Sequence, residues 1–152
     1  MIDIKLHQKH IEYEKKIINV AVASENGKDY RLVNKSKFYV TKVHIDGGVF
    51  KQELCCDFLF LTHERVEDKY INQDAILVEL KGVDVKHAID QIESTVNKLK
   101  FSNKEYILKG RIVASKGIPV HLRPSNFTRL DALLKKNGGD LQCKTKLFEE
   151  HV

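Results

Sequence analysis

The sequence predicts an α/β (α+β) fold in which helices flank a central mixed sheet. Short apolar runs rich in β-branched and aromatic residues recur along the chain between polar breaks, as strands do. A later segment instead has apolar residues at helical spacing. The chain has 152 residues, of which 42% are hydrophobic and 31% charged, which suits a globular domain with its own core. We therefore expect residues 1–152 to form a single domain.

The first half of the chain is expected to hold one helix followed by strands. Ile11, Ile18 and Val22 recur at helical spacing, which predicts a helix over about 5–22. Turn-forming residues then alternate with apolar runs, as in a sheet built from hairpins. The expected elements are a turn at 24–29, a strand at 38–45, a hairpin at 46–48 whose second strand runs from Val49 through Asp57 to 61, a polar connection at 62–74 and a strand at 75–81.

The second half contains the helix with the clearest pattern. Gly82 breaks the preceding strand, and Asp84 is placed to cap a helix over about 85–100. An apolar stripe defines the buried face of this helix: Val85, Ala88, Ile89, Ile92, Val96 and Leu99. The remaining expected elements are a strand at 106–114, a short helix at 127–136 capped by Ser125 or Asn126, and an edge strand at 141–145.

A carboxylate and an ammonium end the apolar strand at 75–81. Glu79 and Lys81 are two residues apart, so their side chains point to the same face of the strand. The apolar residues between and before them point to the other face. Holding two charged groups at the end of a hydrophobic strand is costly without a use. Metal-assisted hydrolysis of a phosphodiester is one such use, because a carboxylate binds the cation and an ammonium stabilises the developing charge.

Asp57 supplies a second carboxylate. If its strand and the strand at 75–81 are antiparallel neighbours, Asp57 lies beside Glu79. Two carboxylates around one cation make an oxygen-ligand site suited to Mg²⁺ or Mn²⁺, with water in the remaining positions. On the following helix, Gln91 lies on a flank that overlooks the end of the strand bearing Lys81. Gln91 is either part of this site or an ordinary solvated helix residue.

The series Asp57, Glu79, Lys81 and Gln91 resembles the D…ExK…Q arrangement of the PD-(D/E)xK nuclease superfamily. The resemblance implies a restriction-endonuclease-like αβββαβ core over most of the chain. One departure is that Cys56, and no proline, precedes Asp57.

The resemblance also assigns roles to these residues. It implies that Asp57, Glu79 and the backbone carbonyl of Leu80 bind Mg²⁺, with Mn²⁺ as an alternative. Lys81 then positions the attacking water or stabilises the charge that develops at phosphorus, and Gln91 helps to align the reacting groups.

Other acidic residues are weaker candidates for metal binding. Glu12 or Glu14 on the expected first helix, or Glu53 before Asp57, would add a ligand. His87 precedes Gln91 by one helical turn and is expected to be a partly exposed helix histidine. Zinc is disfavoured because the three cysteines include no C-x-x-C pair.

The sequence indicates a cytoplasmic protein. Three cysteines, two of them adjacent, do not suggest a disulfide framework, so a reducing compartment is expected. The N-terminus lacks the features of a signal peptide, and no apolar run approaches the length of a membrane span.

The net charge of +5 lies in the second half of the chain. Residues 82–152 carry 13 Lys and Arg against 8 Asp and Glu, whereas the two signs balance before residue 82. The basic residues considered are Lys98, Lys100, Lys104, Lys109, Arg111, Lys116, Arg123, Arg129, Lys135, Lys136, Lys144 and Lys146. A basic surface suits a nucleic-acid backbone, although solubility alone also accounts for a modest positive charge.

We therefore expect a metal-dependent DNA endonuclease, with a homodimer or a partner subunit supplying specificity, and the resemblance implies a role in defence or repair. One alternative is a non-catalytic module on the same fold that binds nucleic acid or protein. A ribonuclease is a further alternative, because the metal chemistry at phosphorus is shared by both substrates.

Overall fold

The computed structural model describes residues 10–47, 54–101, 105–116 and 123–152. Within these ranges the chain forms nine strands and two helices. In chain order they are β1 (Ile11–Ile17), β2 (Val20–Glu25), β3 (Lys28–Val33), β4 (Tyr39–His44), β5 (Phe58–Val66), β6 (Lys69–Lys81), α1 (Val85–Leu99), β7 (Ile107–Ala114), α2 (Ser125–Lys136), β8 (Leu141–Thr145) and β9 (Leu147–His151). The fold is thus mixed α+β and consists mostly of strands.

Two sheets are present in the described part of the chain. The larger has six strands in the order β1-β4-β5-β6-β7-β8 and is mixed. The pairs β1–β4, β4–β5 and β5–β6 are antiparallel. The pairs β6–β7 and β7–β8 are parallel. Each of the two parallel connections contains a helix, as parallel pairing requires a long crossover. The smaller sheet has the order β2-β3-β9.

The six-stranded sheet is the middle layer of three. On one face, side chains of α1 and α2 pack with alternate residues of the strands, including Leu59, Leu77 and Ile112. On the other face, Phe60 and Ile76 pack against residues of the three-stranded sheet. Because both faces of the large sheet are covered, the end of β6 from 74 to 80 is buried at every position.

The two helices begin in different ways. The Asp84 side chain accepts a hydrogen bond from the backbone N–H of His87, so the predicted cap of α1 is confirmed. Helix α2 begins after Pro124 without a side-chain cap, so the predicted cap at Ser125 or Asn126 is wrong. Asn126 is buried and instead donates to the Lys86 carbonyl of α1 at 3.0 Å, which ties the two helices together.

The predicted first helix is wrong wherever the structure describes it. Residues 11–17 form β1, which pairs with β4, and 20–25 form β2, which pairs with β3. The apolar residues of this segment also alternate: β1 has half-buried and exposed positions in turn, and Ala21 and Ala23 of β2 are buried between exposed neighbours. The sequence of this segment fits both a helix and strands. It forms strands because β4 and β3 are available to pair with it. Residues 1–9 lie outside the described ranges.

The β5–β6 hairpin is longer than predicted. The stretch 62–74 was expected to be a polar connection, but β5 continues to Val66 and β6 starts at Lys69. A turn at Glu67 and Asp68 joins them, with Glu67 at a φ of 56°. This hairpin projects beyond the neighbouring strands, so its polar side chains remain in solvent while its backbone is paired.

Other predicted boundaries shift by a few residues or fall outside the description. The strand that was expected to contain Asp57 begins at Phe58, and its predicted start at Val49 lies in 48–53, which the structure does not describe. The edge strand at 141–145 is confirmed as β8. Strand β9 was not predicted. No helix among the described residues combines the length and the apolar character needed to cross a membrane.

Candidate active site

Asp57 and Glu79 meet at one end of the large sheet. Strands β5 and β6 are antiparallel, and Phe58 pairs with Val78, so Asp57 stands next to Glu79. The backbone N–H of Asp57 donates a hydrogen bond to Oε2 of Glu79 with an N···O distance of 3.0 Å. Glu79 continues the series of β6 side chains that lies under the helices. The two residues that were predicted to share a site are therefore in contact.

A second hydrogen bond runs in the opposite direction. The backbone N–H of Leu80 donates to Oδ2 of Asp57 at 2.9 Å. Since the N–H and the C=O of a strand residue point to the same side, the Leu80 carbonyl also faces the strand edge on which Asp57 lies. Each carboxylate thus accepts a backbone donor from the neighbouring segment, and the pair joins the start of β5 to the end of β6.

Burial and nearby negative charges make both carboxyl groups weaker acids than usual. Glu79 is only 3% exposed. Burial, followed by the negative charge of Asp57, raises the pKa of Glu79 to about 9. Burial likewise raises the pKa of Asp57 to about 6, although the hydrogen bond from Leu80 works against this rise. A cation placed between these groups would oppose the rise in both pKa values, because its charge favours the ionised carboxylates.

Lys81 lies at the same end of β6 and is half-buried. Its positive charge lowers the pKa of both Asp57 and Glu79, opposing the effect of burial. In the parallel register Lys81 pairs with Ala114 of β7, so a small side chain stands next to the ammonium. The sheet therefore brings the predicted Asp, Glu and Lys together.

Asp46 is a member of this acidic group that the sequence interpretation missed. Its charge raises the pKa of Asp57 and of Glu79. The Cys55 thiol donates to Oδ1 of Asp46 at 3.8 Å. The sequence contained one signal: Asp46 follows the strand β4, and in an antiparallel hairpin that position lies beside the start of the next strand. We interpreted it only as a turn residue.

Gln91 is not a solvated helix residue. Its Nε2 donates to the Cys55 carbonyl at 3.2 Å, and its buried Oε1 has no hydrogen-bond partner among the described residues. Gln91 is one of three residues on a flank of α1 that hold the segment before β5. Thr95 Oγ1 accepts from the Cys56 N–H at 2.8 Å, and Lys98 donates to the Leu54 carbonyl at 2.9 Å. We call Gln91, Thr95 and Lys98 the α1 clamp.

The α1 clamp suggests how Asp57 is held. The segment 54–57 is not part of a strand, although the Ile45 N–H donates to the Asp57 carbonyl at 2.9 Å. Thr95 is completely buried and also donates to the Gln91 carbonyl, which orients its hydroxyl. The clamp therefore positions the backbone just before Asp57. Whether Gln91 also aligns reacting groups stays a prediction.

Two of the additional metal ligands that the sequence suggests, Glu12 and Glu14, are not brought to the site. Glu12 lies on β1, where it forms an ion pair with Lys42 at 3.0 Å. Glu14 forms an exposed ion pair with its neighbour Lys15. The helix on which both were expected does not form. Glu53 lies outside the described residues. His87 is exposed on α1, as expected.

The donor set fits a hard divalent cation. Two carboxylates and a backbone carbonyl are oxygen ligands, which Mg²⁺ and Mn²⁺ prefer together with water. The described residues contain no group of three or more His, Cys, Asp or Glu side chains arranged to hold a metal ion. A cation here would accordingly depend on the Asp57–Glu79 pair, on backbone oxygen and on water.

Comparison with known proteins adds no assignment. Neither protein-family models, nor characterised proteins, nor solved structures matched this chain. The function is therefore inferred from the residues and the fold alone.

Proposed function

We propose that this protein is a metal-dependent nuclease that hydrolyses phosphodiester bonds at the Asp57–Glu79 pair. The observation that carries the proposal is the contact between the two carboxylate residues next to Lys81. Both carboxyl groups have raised pKa values, so their ionised forms would be stabilised by a cation bound between them. A phosphodiester supplies the anion that such a cation and Lys81 would bind.

Each residue has a defined part in this reaction. Asp57, Glu79 and the Leu80 carbonyl would hold Mg²⁺ or Mn²⁺. Such a cation would supply Lewis-acid chemistry at the scissile phosphate and would make a bound water more acidic. The Lys81 ammonium orients that water or stabilises the negative charge that develops on the phosphate oxygens. The α1 clamp keeps Asp57 in place. Gln91 contributes to this through its hydrogen bond to the Cys55 carbonyl.

The topology around the pair is consistent with the nuclease superfamily that the motif resembles. Strands β4, β5 and β6 form an antiparallel meander, α1 follows, and β7 returns parallel to β6. This βββαβ order corresponds to the resemblance-implied core without its first helix. The expected helix is replaced by β1 and β2, so the proposal depends on the meander and on α1.

DNA is the proposed substrate, with action in defence or repair following from the resemblance. The net positive charge of residues 82–152 supports binding of a polyanion such as nucleic acid. A reducing cytoplasm is the proposed compartment, and Cys56 and Cys143 form no disulfide within the described ranges. A homodimer or a partner subunit would supply specificity. RNA remains the alternative substrate.

A non-catalytic role is the second candidate function, and one observation favours it. Each carboxylate of the pair accepts a backbone N–H, which is also what a purely structural link between β5 and β6 would do. In that case the pair would stabilise the sheet edge and the protein would bind nucleic acid or protein without cutting. The two candidates differ in their need for a divalent cation.

The deciding experiment measures cleavage of linear, supercoiled and single-stranded DNA and of RNA with Mg²⁺, with Mn²⁺ and with EDTA. Asp57→Asn and Lys81→Ala are expected to abolish metal-dependent cutting. Asp68→Asn and Lys69→Ala are matched controls, because these residues lie at the other end of the β5–β6 hairpin. Cutting that survives both site variants, or its absence with every substrate and metal, would contradict the proposal. Metal-independent binding without cutting would favour the second candidate.

A further inference from the structure

Two groups stand out among the basic residues of the second half that the structure describes. Several are engaged in ion pairs within the protein. These pairs are Lys109–Asp74 at 3.2 Å, Arg111–Asp140 at 2.8 Å, Arg111–Glu150 at 2.9 Å, Arg129–Glu93 at 3.1 Å and Lys135–Asp131 at 2.8 Å. Their charge is largely neutralised, so these residues are poor candidates for holding a nucleic acid.

A second group lies at the end of the sheet that carries the Asp57–Glu79 pair. Lys81 of β6 pairs with Ala114 of β7, which in turn pairs with Thr145 of β8. Lys116 follows this row by two residues and Lys146 follows it by one, and both are exposed. The backbone N–H of Lys146 donates to the Ala114 carbonyl at 2.9 Å, so Lys146 is anchored beside the end of β7.

Arg123 joins this group from the start of α2. The end of α2 lies beside the start of β7, where the Leu108 N–H donates to the Asn137 carbonyl, so the start of α2 with Arg123 lies toward the other end of the sheet. Cys143 pairs with Ile112, which pairs with Glu79, so all three residues lie in one row under the helices. Arg123 is exposed and lies over the Phe127 ring at 4.2 Å, a contact that holds the side chain while leaving its donors available.

The carboxyl end of the sheet is therefore divided by charge. Asp46 and Asp57 lie on the β4–β5 side of Glu79, whereas Lys116, Arg123 and Lys146 lie on the β7–β8 side. Neighbouring strands are about 4.8 Å apart, so β8 is about 10 Å from β6. This distance is of the order of the spacing between neighbouring backbone phosphates, so one nucleic-acid strand can span it. The residues facing this stretch, Ala114 and Thr145, have small side chains.

We propose that Lys116, Arg123 and Lys146 bind successive backbone phosphates of one nucleic-acid strand, which crosses the ends of β6, β7 and β8 and enters the Asp57–Glu79 pair from the β8 side. This inference deepens the proposed function and rests on it for the location of the scissile phosphate. The acidic side of the pair repels a second stretch of backbone, so the strand has one favoured approach.

The test compares two triple variants with the same change in charge. The first is Lys116→Gln, Arg123→Gln and Lys146→Gln. The matched control is Lys35→Gln, Lys69→Gln and Lys136→Gln, whose exposed side chains lie at the opposite end of the sheet. Binding of a fluorescent 20-base-pair DNA is measured by anisotropy in EDTA over a range of salt concentrations, so that cleavage does not contribute. Thermal unfolding of both variants checks that they fold.

For the first variant we expect the slope of log affinity against log salt concentration to become shallower by about 2 to 3. The reason is that each lost phosphate contact removes about 0.9 from the slope for duplex DNA. The control should change the slope by well under 1. Equal slopes for the two variants, or no binding by the unmodified protein, would overturn the inference.

A separate cleavage assay keeps the two proposals distinguishable. If the unmodified protein cuts DNA but the two variants bind alike, only the binding surface is wrong. If the first variant shows the expected shallower slope but neither it nor the unmodified protein cuts DNA, the binding surface is supported and the nuclease proposal fails.

Discussion

The backbone N–H of Asp57 donates to the Glu79 carboxylate while the Asp57 carboxylate accepts the N–H of Leu80, at 3.0 and 2.9 Å. This reciprocal pair brings two acids together in a buried place. Each hydrogen bond stabilises an ionised carboxylate, but burial together with nearby negative charges outweighs them and raises both pKa values. The arrangement is thus held together by the backbone and destabilised by its own charge, which makes it responsive to protons and to cations.

The stability of the metal-free protein should fall as the pH rises. The pKa of Glu79 is about 9 in the folded protein against an ordinary 4.5, so between these values the folded state keeps a proton that the unfolded state releases. Stability is then lost with increasing pH, by at most about 1.4 kcal/mol per pH unit for one proton. Urea unfolding in EDTA between pH 5.5 and 8.5 measures this slope.

Glu79→Gln provides the comparison for that slope. The amide cannot ionise but still accepts the Asp57 N–H, so the variant should show a flatter dependence and be more stable than the unmodified protein at pH 8. A variant whose slope matches that of the unmodified protein would show that Glu79 does not titrate in this range.

Binding of Mn²⁺ should release a proton and strengthen with pH. A cation requires ionised carboxylates, and Glu79 is protonated at pH 7 in the metal-free protein. The affinity should therefore rise by about tenfold per pH unit between pH 6.5 and 8.5, where Glu79 supplies the proton. Calorimetry in two buffers of different ionisation enthalpy measures the proton release. Asp57→Asn should weaken binding, and an affinity independent of pH would contradict the site.

Removing the Thr95 hydroxyl should loosen the segment that bears Asp57. Thr95→Val leaves the buried Cys56 N–H without its acceptor at 2.8 Å, at a cost of about 1 to 3 kcal/mol. Thr95→Ser retains the hydroxyl and serves as the matched control. We expect Thr95→Val to lower both the free energy of unfolding and the affinity for Mn²⁺. A loss of stability with unchanged affinity would mean that the α1 clamp does not position Asp57.

Arg111 is expected to stabilise the fold without affecting the site. Its buried guanidinium binds Asp140 and Glu150, and Glu150 also accepts from the Tyr30 hydroxyl at 2.7 Å. Arg111→Met leaves these acids without their partner and should cost about 3 kcal/mol. The control Arg65→Met breaks an exposed pair with Asp68 at 3.8 Å and should cost less than about 1 kcal/mol.

Urea unfolding checks the two Arg variants, and Mn²⁺ affinity should be unchanged in both. A small effect of Arg111→Met would show that this network is dispensable for joining β9 and the small sheet to β7. A changed affinity would show instead that the network reaches the site.

The second half of the fold was predictable because its signals are local. Helix α1 has an unbroken apolar stripe and a capping Asp84, and both depend on neighbours within a few residues. Strand β7 and the edge strand β8 are short apolar runs between turn residues. The first half was less predictable, because β1 and β2 depend on pairing with β4 and β3, and the spacing of their apolar residues also fits a helix.

The sequence by itself determined which chemical groups this protein has and their local spacing: Asp57, the Glu79 and Lys81 pair on one strand face, and Gln91 on the next helix. Only the tertiary structure decided their surroundings. It added Asp46 to the acidic group, turned Gln91 toward the Cys55 carbonyl and selected Lys116, Arg123 and Lys146 as exposed cations at the same sheet end. The physical reason is that burial, electrostatic coupling and ion pairing arise between residues far apart in the chain. For such residues the number of intervening residues does not determine the distance in space.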